Sequence, residues 1–181
     1  MDDRTAIAAL KSKIEVTTGV ADRLAFSISK ANRLKLTPLS MDKLRHLSDD
    51  EMEVLDAYLF RYGSLVSNIQ DAIFKSIGEV EGEAVSTMSN RDRTNLMERI
   101  GAVPSAGEFS SLAVVRNKLM HDYPEEAQKY LDRINFIATG APTLVDVFVG
   151  IVKYSEKFGI HISMENFANI KGFNSGITPQ A

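Results

Sequence analysis

Cysteine is absent from the 181 residues, which excludes disulfides, thiolate chemistry and cysteine-based metal sites. Histidine is scarce. His46, His121 and His161 are far apart and lack the close pairing of helical metal motifs, so no metal site and no cofactor are expected. No uninterrupted run approaches the roughly 20 apolar residues that cross a bilayer. The richest stretch, 144–152, is short and carries Asp146. Asp2, Asp3 and Arg4 stand where the apolar part of a signal peptide would begin, so a cytoplasmic location without a membrane partner is expected. The net charge of −3 argues against a bulk nucleic-acid coat, because nonspecific binding to polyphosphates runs on clustered cations. It leaves room for RNA in a local basic groove. DNA is not expected as a partner. No glycine-rich phosphate loop occurs either. Gly63-Ser64 falls inside a predicted helix and lacks the paired acidic residues that nucleotidyl transfer needs.

What is present is helix. Apolar residues make up 44% and charged residues 25%, enough material for a globular core. Ile7, Leu10, Ile14, Thr17, Ala21, Leu24 and Ile28 alternate at spacings of three and four, which predicts an amphipathic helix weakened in its middle by Thr17, Thr18 and Gly19. A connector from about 34 to 47 contains Pro38 and room for one short turn. Ser48 with Glu51 forms a capping box. Behind it Leu55, Leu59, Tyr62, Val66, Ile69 and Ile73 hold one seam, predicting a long helix over about 48–80 that Gly78 and Gly82 end. A polar loop follows over 81–89. Asn90 is the expected cap of a shorter helix, with Leu96 and Ile100 inward and Gly101 as its stop. Ser105 and Glu108 form a second capping box, opening a helix that should run to about Tyr123 with Leu112, Val115 and Leu119 inward. Pro124, Glu125 and Glu126 suit the first turn of a last helix, built on Tyr130, Ile134, Ile137, Val145, Phe148 and Val152. Gly140 and Pro142 should kink or divide it. Strand alternation, repeats and low-complexity stretches are not found. The expected fold is all-α, an up-and-down antiparallel bundle. Its expected divisions are a helix and connector over 1–47, a bundle over 48–158 and a loosely ordered tail over 159–181.

The stretch that can carry chemistry is Val115-Arg116-Asn117-Lys118-Leu119-Met120-His121-Asp122-Tyr123. Arg116 and His121 are five apart, about 140° around an ideal helix, so a long guanidinium must reach round to share a cleft with the imidazole. Asn117 and His121, four apart, share a face, and Arg116 and Tyr123, seven apart, lie nearly in register. Such a set suits RNA cleavage without metal. Histidine titrates near neutrality and serves as acid or base. Arginine stays cationic and binds phosphate through parallel donors. Asn117 can orient the phosphate or the ring. Plainer readings stand beside this one: Arg116 as an ion-pair partner of Asp122 or Glu108, His121 as a helix-end histidine, Tyr123 as a ring that anchors the helix end. Arg91, Arg93 and Arg99 read as a solvated helix face, and His46 and His161 as surface residues.

Arg-Asn-x-x-x-His resembles the signature of HEPN domains, and the longer Arg-x4-His-x-Tyr resembles that of HepT-like toxins. Phe60-Arg61-Tyr62 and Ile73-Phe74-Lys75 on a long helix, then a motif running into Tyr123-Pro124, agree with that likeness over roughly 48–158. The resemblance implies a four-helix-bundle homodimer with motif residues of both chains meeting in a cleft. It implies that Arg116 and His121 are catalytic in a metal-independent endoribonuclease, with Asn117 supporting. Tyr123 would be adenylylated by a partner, a minimal nucleotidyltransferase acting as antitoxin. The alternative function is a non-catalytic helical dimer that binds a nucleotide or a nucleotidyltransferase.

Overall fold

A computed structural model describes residues 3–121, 126–163, 165–171 and 173. The described residues form helices and connectors, with no strand among them: α1 (Asp3–Arg33), α2 (Met41–Arg45), α3 (Asp49–Ser67), α4 (Phe74–Val80), α5 (Asn90–Arg99), α6 (Ala106–His121), α7 (Ala127–Ser155) and α8 (Ala168–Lys171). The chain is all-α.

α1 runs unbroken through its predicted weak point. The hydroxyls of Thr17 and Thr18 donate to the carbonyls of Lys13 and Ile14 at 2.7 and 2.8 Å, so both buried threonines are satisfied inside the helix. Its apolar stripe is buried from Leu10 and Ile14 through Ala21 and Leu24 to Ile28, against α3, α4 and α7. Residues before 48 and after 48 therefore share one hydrophobic core. The connector is fixed as well. Leu36 and Leu39 are buried, and the Asn135 side chain both accepts from the Leu39 amide at 2.7 Å and donates to the Leu39 carbonyl at 2.8 Å.

Helical backbone continues from Asp49 to Val80, opened by the Ser48–Glu51 capping box. Its seam differs in one place from the sequence reading: Tyr58 is buried where Leu59 was expected, and Leu59 is only half-buried. A π-helical turn at Asn68–Ile73 separates α3 from α4, with the Phe74 amide donating to the Ile69 carbonyl five residues back. The extra residue in that turn keeps Ile69, Ile73, Phe74 and Ile77 all on the buried side.

Gly82 ends this helix and Gly78 does not. Gly82 has φ 76°, while Glu83 donates to the Gly78 carbonyl at 2.9 Å, the closing bond of a Schellman turn. Gly78 has a packing role instead, because a Cβ there would come within 2.2 Å of Val85. The same turn chemistry ends α5, where Gly101 has φ 79° and Ala102 donates to the Met97 carbonyl at 2.8 Å. The cap of α5 is Ser89 rather than Asn90. Its side chain accepts from the Asp92 amide at 3.2 Å.

α7 is neither divided nor stopped at 140–142. Pro142 lies inside a single 29-residue helix. Gly140 serves contact, since a Cβ there would meet Leu112 of α6 at 2.4 Å. By length and apolar composition the segment Ala127–Phe158 is sufficient to cross a membrane, a finding that a search for unbroken apolar runs misses because Asp146 interrupts the run. Leu131, Ile134, Ile137, Leu144, Val145 and Phe148 of this helix are buried in the core. Beyond Gly159 the chain lacks helical periodicity, yet Ile160 and Ile170 are buried. Asp22 of α1 receives the Asn169 amide at 2.9 Å and its side-chain nitrogen at 2.8 Å, pinning α8 to α1.

Candidate functional site

α6 begins where Ser105 accepts from the Glu108 amide at 3.1 Å, and its first half is core. Phe109, Leu112 and Ala113 are buried, and Phe109 meets Phe74 at 4.9 Å between ring centroids. Val115 is only half-buried. Tyr62 of α3 is fully buried and donates its hydroxyl to the Leu112 carbonyl at 2.9 Å. In an α-helix that carbonyl is also the acceptor of the amide four residues on, which is Arg116. The turn that presents Arg116 is thus tied to α3 through one buried phenol. Burial holds that phenol well above its ordinary pKa, so it stays protonated and able to donate.

Arg116 is half-buried and reaches from α6 across to α3. Its stem passes Gly63, whose ideal Cβ would sit 3.5 Å from the Arg116 Cγ, an ordinary contact distance. Its Nη2 donates to the Ser67 hydroxyl. Ser67 in turn donates to the Gly63 carbonyl at 3.0 Å, so its single proton is committed to the helix and its lone pairs are presented to the guanidinium. Ser64 and Asn68 likewise bond back to the carbonyls of Phe60 and Ser64, at 2.9 and 2.8 Å. This run of back-bonding side chains immediately precedes the π-helical turn, where the helix widens.

Arg116, Gly63, Ser67 and Asn68 line a cavity of about 230 Å³ that Leu59 and Phe60 close on its apolar side. Phe60 is 73% exposed, the most exposed large apolar side chain among the described residues. Arg116 is therefore aimed along α3 by a serine, beside an aromatic ring left in water. That arrangement can hold a phosphate next to a planar group.

His121 is the last residue of α6, about 7.5 Å along the axis from Arg116 at the ordinary helical rise. The side chains of Asn117 and His121 lie outside the described residues, as does the whole of Tyr123, so the meeting of these groups with Arg116 is a proposal. Among the described residues no three His, Asp or Glu side chains gather as a metal-binding group. The other cations singled out in the sequence stand elsewhere. Arg99 pairs with Glu83 at 2.9 Å, Arg93 donates to Asn90, and Arg91 lines a separate cavity with Gln70 and Asn95. His46 is exposed with its Nδ1 2.8 Å from the Asp42 carbonyl, and His161 is exposed.

The sequence reading did not find Ser67 or the role of Gly63, because a serine inside a helix carries no motif. Phe60 left a signal: it falls off the seam defined by Leu55, Tyr62 and Val66, which places a phenyl ring on the wet side of a helix. No protein-family model, curated protein or solved structure matches the chain.

Proposed function

We propose that this chain is a metal-independent endoribonuclease of the HEPN type, the toxin of a toxin–antitoxin pair. The observation that carries the reading is the sequence pattern Arg116-Asn117-x-x-x-His121-x-Tyr123, which starts on α6, with its arginine oriented by Ser67 into a cavity that an aromatic ring borders. In this reading the helices form an up-and-down antiparallel four-helix bundle, and two copies pair so that both motifs face one cleft.

The chemistry follows from the residue types. The 2′-oxygen of the RNA attacks the adjacent phosphorus, forming the P–O2′ bond as the P–O5′ bond breaks. One proton leaves the 2′-hydroxyl and one is delivered to the departing 5′-oxygen. A cleft shared by two chains supplies two His121 imidazoles, one for each transfer. Arg116 neutralises the charge that builds on the phosphoryl oxygens, and Asn117 orients the phosphate. Tyr123 is the site at which a partner nucleotidyltransferase attaches AMP. A nucleotide on that hydroxyl fills the cleft and gives Arg116 a phosphate to hold in place of the substrate's.

The net charge of −3 favours a second reading, a non-catalytic helical dimer that binds the nucleotidyltransferase or a nucleotide and cuts nothing. Expression in a host cell separates the two. The ribonuclease arrests growth with visible RNA breakdown, and His121→Ala or Arg116→Ala relieves both. Equal toxicity from the His121→Ala chain, or none from the wild type, contradicts catalysis.

A further inference from the structure

A cavity of about 450 Å³ lies between α5, the first half of α6 and the π-helical turn, within the range of roughly 300–1,000 Å³ typical of small-molecule sites. On the α6 side Ala106, Ser110 and Ala113 recur at helical spacing and, with Gly107, keep the space open. Opposite them stand Gln70 of the π-helical turn and Asn90, Arg91 and Asn95 of α5. Part of this wall is committed to the fold. Thr94 donates to the Asn90 carbonyl at 2.8 Å, and the Asn90 carboxamide accepts from Arg93 and donates to Asp71 at 3.5 Å. The rest is not. Among the described residues no hydrogen bond or ion pair occupies the side chains of Gln70, Arg91, Asn95 or Ser110, although Gln70 and Ser110 are half-buried. The cavity therefore gathers two carboxamides, a hydroxyl and a cation that the helices do not use for their own packing.

A carboxamide offers a donor and an acceptor in one plane, the pattern that meets the adenine edge at N6 and N7. Val114, 51% exposed, adds methyl groups against which a flat ring can lie. Arg91 can take a phosphate through two parallel donors. A single arginine, with Asp71 against the same wall, suits one phosphate and not the several of a triphosphate. A bare anion would leave both carboxamides unused. We infer that this cavity binds an adenine nucleotide carrying one phosphate, with the base edge at Gln70 and Asn95 and the phosphate at Arg91. Two sources share that chemistry, a free mononucleotide and an adenosine of an unpaired RNA strand. Continued at helical spacing, the same face of α6 passes through positions 117 and 121 of the motif, which makes the RNA source worth a separate arm of the test. The site shares no lining residue with the cavity at Arg116 and does not rest on the ribonuclease reading.

The test is titration calorimetry of the full chain with AMP, with adenosine, UMP and inorganic phosphate as comparison ligands. AMP is expected to bind roughly 5- to 150-fold more tightly than UMP, the range for one well-made base contact, and more tightly than adenosine or inorganic phosphate. Gln70→Ala combined with Asn95→Ala should erase the preference over UMP. Arg91→Gln should bring AMP down to the affinity of adenosine and leave adenosine unchanged. Gly107→Leu, whose Cβ meets nothing nearer than the Ser105 Oγ at 3.8 Å, should fill the cavity and block AMP with the helical spectrum intact. A single-stranded oligoadenylate of roughly twelve nucleotides, added in EDTA to His121→Ala protein so that nothing is cut, identifies the source. Displacement of AMP by it assigns the cavity to RNA, and AMP binding that it leaves undisturbed assigns the cavity to the free nucleotide. Inorganic phosphate bound as tightly as AMP overturns the inference, as does AMP affinity unchanged by the paired Gln70 and Asn95 substitutions. So does failure of both AMP and the oligoadenylate to bind. AMP binding by a protein that cuts no RNA keeps this site and removes the ribonuclease, and cleavage by a protein that binds neither ligand does the reverse.

Discussion

α3 has two faces along the same 19 residues, and they obey different rules. On the inner face Leu55, Tyr58, Tyr62, Leu65 and Val66 are buried, and the two phenols are satisfied within the protein. Tyr62 donates to Leu112 at 2.9 Å, and Tyr58 makes a longer contact with the Ile137 carbonyl at 3.5 Å. On the outer face Phe60 stands in water beside Arg61, and Ser67 presents its lone pairs to Arg116. The inner face is closed and holds α6 and α7 in place. The outer face carries an exposed phenyl ring, Phe60, that the described residues leave uncovered. Stability and function should therefore separate by face of one helix.

The largest effect that can break this comparison is on the inner face. Tyr62→Ala removes a fully buried ring together with the bond to Leu112, and should cost about 3–5 kcal/mol in urea unfolding. Phe60→Ala, two residues earlier, should stay within about 0.5 kcal/mol of wild type. Similar losses from the two substitutions would show that the outer face is structural after all.

Gly63→Ala gives a smaller effect of opposite sign. The new methyl meets the Arg116 stem at an ordinary 3.5 Å, and a helix-interior glycine is replaced by the best helix former. A gain of up to about 1 kcal/mol in unfolding free energy is expected. A loss would mean that the Arg116 stem packs on this backbone more tightly than the contact distance implies.

The smallest effect lies at the far end of the continuous helix. Burial alone would raise the carboxyl pKa of Glu81, but bonds from Lys157 and from the Tyr154 hydroxyl at 2.5 Å outweigh it and lower it. A pKa lower in the folded than in the unfolded chain adds stability above the unfolded carboxylate range, and that share is lost as pH falls through the folded value. The Glu81 side chain is 24% exposed and the pair lies at the surface, so the contribution should be under about 1 kcal/mol. Thermal unfolding of Glu81→Gln should fall below wild type at neutral pH and converge with it in acid. A difference that persists in acid would assign the effect to packing.

Much of the helical order was legible because spacing and caps are local. Ser48 with Glu51, Ser105 with Glu108, and the stops at Gly82 and Gly101 can be read from a few adjacent residues. What was not legible is set by neighbours distant in sequence. Gly140 and Gly78 read as breaks, but they are contacts with Leu112 and Val85, which no local pattern reveals. The π-helical turn shifts a seam without changing its composition. At the site, Arg116 was found from its motif, whereas Ser67, 49 positions earlier, became visible only through the packing of α6 on α3.

The central claim, cleavage by internal attack of the RNA, is tested most directly by the ends it leaves. Unstructured RNA incubated with the purified protein in EDTA should yield 5′-hydroxyl and 2′,3′-cyclic phosphate termini by mass spectrometry. Arg116→Ala and His121→Ala, each with an unchanged helical spectrum, should cut on the order of a hundredfold more slowly or worse. Cleavage that needs added magnesium and leaves 5′-phosphate ends, or a His121→Ala protein that cuts as fast as wild type, would contradict the account.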